Sequence, residues 1–152
     1  TFPPFSDNKN KQLLEQIVQR NSVSIHIRRG DYLKNKLNWS LDIDYYNRAI
    51  QLIKEKVTAP YFFIFSDDTQ WAEENIKVTN CHFINWNKGD DSFRDMQLMS
   101  NCKHNIIANS SFSWWAAWLG NSEKKIVVAP SNWFSKKSIN TSDLIPADWI
   151  RL

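Results

Sequence analysis

Glycine is nearly missing from this chain: in 152 residues it occurs only at Gly30, Gly89 and Gly120. Loops that cradle phosphate with backbone N–H groups need two or three glycines within a few residues, so they are excluded. A bound nucleotide would have to be held by side chains and helix ends. Cysteine is as scarce, and Cys81 with Cys102 cannot make a disulfide scaffold. No apolar run approaches the roughly 18 residues of a spanning helix, and no signal-peptide pattern is visible. The chain opens on Thr1 in place of Met and reads as a piece of a longer protein. A strong excess of either charge is also missing, with 19 Lys and Arg against 16 Asp and Glu. A net charge of +3 suits an anionic small molecule and is too weak an excess to argue for nucleic acid. Repeats and low-complexity segments are absent, and His82 and His104 lack the partner spacing of a zinc site.

What is present is apolar and aromatic. The apolar share of 42% and the aromatic share of 14% give a chain that buries a real core. Short β-branched or aromatic runs at 23–27, 61–65, 81–84, 105–108 and 126–128 read as buried parallel strands. Between and before them lie helix patterns at 10–20, 43–53, 69–76, 93–99 and 111–119. Asp42 or Asp44 would cap the second of these. The last, carrying Trp114, Trp115 and Trp118, is apolar on most sides and is expected to be buried. This alternation predicts an α/β, Rossmann-like three-layer sandwich with a five-stranded parallel sheet in the order 3-2-1-4-5. Residues 1–152 form one domain in this reading, with 1–21 an N-terminal segment and helix leading into the sheet. In that strand order Cys81 and Cys102 stand too far apart to bridge.

Ligands of open α/β sheets bind beyond the carboxyl ends of the strands. In this sequence those ends collect polar residues. The first strand runs into Arg28-Arg29-Gly30-Asp31-Tyr32, the second into Ser66-Asp67-Asp68, the third into Asn85-Trp86-Asn87 and the fourth into Asn109-Ser110-Ser111-Phe112-Ser113. Guanidinium grips phosphate oxygens in pairs and stays charged at any relevant pH. A Ser-rich turn opening a helix offers hydroxyls and free N–H groups. Strands one and four flank the switch point, so Arg28 and the Ser-rich turn could hold a diphosphate between them. The other reading pairs Arg28 and Arg29 with Asp31 or nearby carboxylates as a structural network. Asp67 and Asp68 could accept from the two adjacent donors of a guanine, or cap the helix that follows them. A metal there would lack a third oxygen ligand. His26 suits a core position, and Trp86 could stack on a base or sugar.

These residues resemble a known family. His26-Ile27-Arg28-Arg29-Gly30-Asp31-Tyr32 is similar to the first motif of the α-1,2-fucosyltransferases, family 11 of the glycosyltransferases. The stretch from Asp95 through Leu98-Met99-Ser100 to Ser110-Ser111-Phe112-Ser113-Trp114-Trp115-Ala116 resembles the later motifs, and Phe65-Ser66-Asp67-Asp68 matches as well. The resemblance covers 23 to 134.

It implies the donor-binding half of a GT-B-like enzyme. That enzyme would transfer L-fucose from GDP-β-L-fucose to the 2-hydroxyl of a galactoside, with inversion and without a required metal or other cofactor. Arg28 would grip the β-phosphate and stabilise departing GDP. His26 and Asp67 would contact the nucleoside. Ser111, Phe112 and Ser113 would meet the diphosphate, and Arg29 belongs to the same donor-binding set. Asp31 is the nearby candidate for general base, with a carboxylate of the missing N-terminal domain as the alternative. The partners implied are GDP-fucose, a galactoside acceptor glycan and that missing domain, with no nucleic acid. The expected location is cytoplasmic, or peripheral at the inner face of a bacterial membrane. Two competing readings are a Trp-based carbohydrate-binding module and a nucleotide-binding domain without catalysis.

Overall fold

The computed structural model describes residues 1–34 and 40–152. Helix α1 (Asn8–Gln19) leads into β1 (Asn21–Ile27); then follow α2 (Ile43–Lys56), β2 (Pro60–Ser66), α3 (Thr69–Asn75) and β3 (Cys81–Ile84). A single 3-10 turn at Gly89–Asp91 precedes α4 (Phe93–Asn101), β4 (His104–Ile106), α5 (Ser111–Leu119) and β5 (Val127–Ala129). All pairings are parallel, and the order β3-β2-β1-β4-β5 is the one expected. The sheet has one strand more than expected. Ile150–Arg151 forms β6, parallel to β5, with only two residues, too short for any periodicity to announce it.

The strand pleat divides the core between two helical layers. Val23, Ile25 and Ile27 of β1, with Phe62 and Ile64 of β2, pack on Tyr45, Tyr46, Ala49, Ile50 and Ile53 of α2. Phe63, Phe65 and Ile84 point the other way, onto Leu13 and Ile17 of α1, Leu98 and Met99 of α4 and Ala116 of α5. The opposite face of β1 carries Ser22, Ser24 and His26, all buried. The two serines survive there because they are paired. The Ser22 hydroxyl accepts from the Lys103 N–H at 3.1 Å, and Ser24 accepts from the Asn105 amide at 2.7 Å. On the α2 side the Tyr45 hydroxyl donates to the Ile107 carbonyl at 2.6 Å, and that of Tyr46 to the His26 carbonyl at 3.1 Å. These bonds occupy carbonyls where the strands end.

Helix α5 departs from expectation. Its buried positions are the small ones, Ser113, Ala116 and Ala117. They recur at the three- and four-residue spacing of one helix face, which lets the backbone approach the sheet closely. The large residues are displaced outward: Trp115 is 49% exposed and Trp118 54%. Trp114 is half-buried and donates its indole N–H to the Leu144 carbonyl at 2.8 Å. Both cysteines are free. Among the described residues no helix is long and apolar enough to cross a membrane.

Candidate functional site

A cleft of about 420 Å³ opens at the carboxyl ends of β1, β2 and β3. Its walls come from His26 and Arg28 after β1, Ser66 and Asp67 after β2, and Asn85, Asn87 and Lys88 after β3. Asp95 of α4 and Phe112 of α5 complete it.

The turn after β1 is built by Asp67. Its carboxylate accepts the N–H of Arg29 at 2.8 Å and that of Gly30 at 2.9 Å. A Cβ at position 30 would lie 3.0 Å from the Asp67 Oδ2, so glycine is needed for close approach. Both Asp67 oxygens therefore hold the backbone. Asp67 thus has a structural role in the turn while it also lines the cleft. Asp68 caps α3, accepting the Trp71 N–H at 3.1 Å. Asp42 is the cap of α2, accepting from the Tyr45 N–H at 3.2 Å.

The two arginines part company. Arg28 lines the cleft, with Nε and Nη2 each 3.0 Å from the Asp31 carboxylate and Nε 3.5 Å from Asp67. This bidentate grip occupies one edge of the guanidinium and leaves Nη1 and the second Nη2 hydrogen for a ligand. Burial alone would lower the Arg28 pKa. The Asp31 hydrogen bond and the charges of Asp67 and Asp31 more than offset it, so the net shift is upward. Arg29 turns to the other side. Its Nη1 donates to the Ser40 hydroxyl at 3.0 Å, its Nε lies 3.5 Å from Asp68, and its guanidinium covers the Trp71 ring at 4.2 Å. Arg29 is thus removed from the donor-binding set, because successive side chains of an extended segment point to opposite faces.

Asp31 is a poor general base. Its hydrogen bond to Arg28 holds its carboxyl below the usual range, and both oxygens face that guanidinium. Its place is to orient Arg28. Ser113 is corrected as well. Its hydroxyl is buried and donates inward, to the carbonyls of Ser110 at 3.3 Å and Ala108 at 3.5 Å, and so does not reach the cleft. Ser110 caps α5, accepting from the Phe112 N–H at 3.3 Å, while Ser111 is exposed. The helix ladder begins with Trp114 N–H to Ser110 carbonyl, so the Ser111 and Ser113 N–H groups precede it and remain available to an anion. Trp86 is tied elsewhere, its indole N–H on Asn10 at 2.9 Å and Lys9 over its ring at 4.1 Å.

His26 lies 5.5 Å from the Phe112 ring, centroid to centroid. Burial and the Arg28 charge hold its pKa down to about 3, so the imidazole is neutral. Its Nδ1 is buried without a hydrogen-bond partner among the described residues, an open position beside the cleft.

Asp95 carried no role in the sequence reading. An acid in the first turn of α4 looks like a complement to the helix dipole. In the fold it is half-buried at the cleft wall. Desolvation pushes its pKa up to about 7, against a lowering hydrogen bond from Asn87 at 2.8 Å. Only its place at the head of the quoted motif stretch could have singled it out. Among the described residues no three His, Cys, Asp or Glu side chains gather as a metal site requires.

Residues 6–152 match the family model described as Glycosyl transferase family 11. The chain belongs to that family. It is 39% identical over 158 aligned residues to an alpha-1,2-colitosyltransferase of Escherichia coli, covering 99% of this chain and 54% of that protein. It is 44% identical to the O-antigen biosynthesis glycosyltransferase WbnK of Escherichia coli, covering 87% of this chain and 45% of the relative. To a galactoside alpha-(1,2)-fucosyltransferase 2 of Bos taurus it is 32% identical, over 66% of this chain and 31% of the bovine protein. This family 11 chain therefore spans about half the length of the two bacterial relatives.

Proposed function

We propose that this chain is the donor-binding part of an α-1,2-glycosyltransferase that takes fucose from GDP-β-L-fucose to the 2-hydroxyl of a galactoside with inversion. One observation carries the reading. The cleft sets a cation with a free edge, Arg28, and Phe112 at the start of α5 against an acceptor, Asp95, that is held by the Asn87 amide. A nucleoside diphosphate has that polarity, with anionic oxygens at one end and hydrogen-bond donors on the base at the other. Asp95 accepts from Asn87 through Oδ1 and has Oδ2 to offer to the paired N1–H and N2–H₂ donors of guanine.

In the reaction the bond from sugar C1 to the β-phosphate oxygen breaks, and negative charge grows on the departing GDP. The free edge of Arg28 meets that charge more strongly in the transition state than in the ground state. The acceptor hydroxyl attacks from the opposite face. Its proton acceptor and most of its binding site come from the other half of a two-domain enzyme.

The 39% identity to a colitosyltransferase over nearly the whole chain favours a second reading of the sugar, colitosyl in place of fucosyl. Titration calorimetry with GDP-fucose, GDP-colitose, GDP, UDP and ADP separates these cases. Tighter binding of the guanine nucleotides supports the reading, and equal affinity for GDP and ADP overturns it. A preference between the two GDP-sugars names the sugar.

A further inference from the structure

Behind Asp95 lies a closed set of polar contacts whose direction can be worked out atom by atom. Asn10 is 2% exposed, beneath the first turn of α1. Its Oδ1 accepts from the Trp86 indole N–H at 2.9 Å, and its Nδ2 donates to the Asp7 carboxylate at 3.0 Å. Indole N–H can only donate. Asp7, whose pKa the Asn10 backbone N–H lowers, is an ionised acceptor. A carboxamide is ambiguous by shape, and these two partners remove the ambiguity for Asn10. Asn10 and Asn87 then form a reciprocal pair, with Asn10 Nδ2 to Asn87 Oδ1 at 2.8 Å and Asn87 Nδ2 to Asn10 Oδ1 at 3.0 Å. That pairing fixes Asn87 in turn, so the group it presents to Asp95 Oδ1, at 2.8 Å, is an NH₂.

We propose that Asn10 and Asn87 are positioning residues which hold Asp95 as a hydrogen-bond acceptor toward the cleft, and that this setting makes the site choose a base with two adjacent donors. The inference rests on the reading of the cleft as a nucleotide-base site. Were Asn87 reversed, its oxygen would face Asp95 and favour the protonated acid. Such an acid would hold its proton on Oδ1, against the Asn87 oxygen, and would lose the charge that makes Oδ2 a strong acceptor for the N1–H of guanine. The relay disfavours this by specifying a donor at Oδ1, and its carboxamides, Asn10 buried and Asn87 half-buried, resist reversal because each would lose its partners. The charged or titratable groups sharing the cleft with Asp95 are His26, Arg28, Asp67 and Lys88, with Asp7 behind the relay. None of these is the partner of Oδ1; Asn87 is.

Two measurements on this chain test the proposal separately from the reading beneath it. The first needs no nucleotide: carbon NMR of the Asp95 carboxyl, followed from about pH 5 to about pH 9. In the unsubstituted chain the midpoint is expected near the value of about 7 set by burial and the Asn87 hydrogen bond. Asn87→Ala and Asn10→Ala should move it upward, by roughly half a unit to one unit for Asn87→Ala and less for Asn10→Ala. Asn87→Asp, nearly isosteric, should move it further, and it keeps the test available if an alanine variant unfolds. The second measurement is calorimetry with GDP and with IDP, which lacks the 2-amino group. Asn87→Ala should weaken GDP about threefold to tenfold at neutral pH and bring the GDP and IDP affinities together. A loss of packing alone would weaken both nucleotides alike at every pH. An Asp95 midpoint that moves in none of the three variants overturns the proposal, whatever the nucleotides do. If it moves as expected while Asp95→Asn leaves GDP affinity intact, the base-site reading fails and takes the proposed base choice with it.

Discussion

The Asp67 carboxylate spans the turn after β1, taking the Gly30 N–H at 2.9 Å with Oδ2 and the neighbouring Arg29 N–H at 2.8 Å with Oδ1. This contact between the ends of two adjacent strands decides which way Arg28 faces. It also makes Gly30 a sensitive position. Gly30→Ala would place a methyl carbon 3.0 Å from Asp67 Oδ2 and force the carboxylate away. The expected result is a loss of about 1–3 kcal/mol in denaturant unfolding, together with weaker GDP binding. Unchanged stability and affinity would mean that the turn yields without consequence.

Arg28 and Arg29 should separate cleanly on substitution. Lysine at 28 keeps the charge but cannot both answer Asp31 and offer a second edge to the diphosphate. In a full-length enzyme Arg28→Lys should lower kcat by about a hundredfold or more, in the range of losing one oxyanion donor. Arg29→Lys loses the planar contact over Trp71 and the Ser40 bond, so it should lower Tm and leave GDP affinity near normal. The opposite pattern would reverse the two roles.

Asp95 should destabilise the chain it serves. Its folded pKa, about 7, lies above the ordinary carboxylate value, so its favourable contribution is complete only at acid pH and is lost as pH rises through about 7. Asp95→Asn should therefore be more stable than the unsubstituted chain at about pH 8, by roughly 1–3 kcal/mol, with the difference shrinking toward about pH 4. Urea unfolding at the two pH values reads this directly. A gap that grows toward acid would contradict the burial argument.

Ser113→Ala removes a hydroxyl that serves the carbonyls of Ser110 and Ala108. Stability should fall by about 0.5–1.5 kcal/mol, and GDP affinity should hold. A marked loss of affinity in a folded variant would restore the hydroxyl to the ligand.

Donor binding is expected without a divalent cation, because Arg28 and the first N–H groups of α5 supply positive potential for the diphosphate. GDP affinity measured in EDTA and then in magnesium or manganese should agree within about threefold. A rise of about a hundredfold with metal would point to a cation between ligand and carboxylate.

The order of the first five strands was legible because each strand is a β-branched or aromatic run and each helix pattern after the first falls between two of them. The two-residue β6 left no such trace. The place of Arg28 at the cleft was legible from its position just past a strand end, and its pairing with Asp31 is the other reading that the sequence left open. The hold of Asp67 on the turn was not legible because a carboxylate that binds a base and one that binds two backbone N–H groups look the same in sequence. The difference lies in the close approach allowed by Gly30, 37 positions away in the chain. Asp95 and its relay were invisible for a related reason. Asn10, Asn87 and Asp95 are brought together from three elements, with 77 positions between the first two. The outward Trp115 and Trp118 show the same limit in packing: composition marks α5 as apolar, but the small residues decide which side goes in.

The central strand has a further consequence for biosynthesis. β1 is zipped to β2, which follows within 60 residues, and to β4, whose first residue is His104. A nascent chain can complete β3-β2-β1 at Ile84, before β4 begins at His104, and until then a central strand of the finished sheet is an open edge. Ribosomal stalling or proteolysis ahead of His104 would leave that edge as a template for other chains, and the fragment would be expected to aggregate.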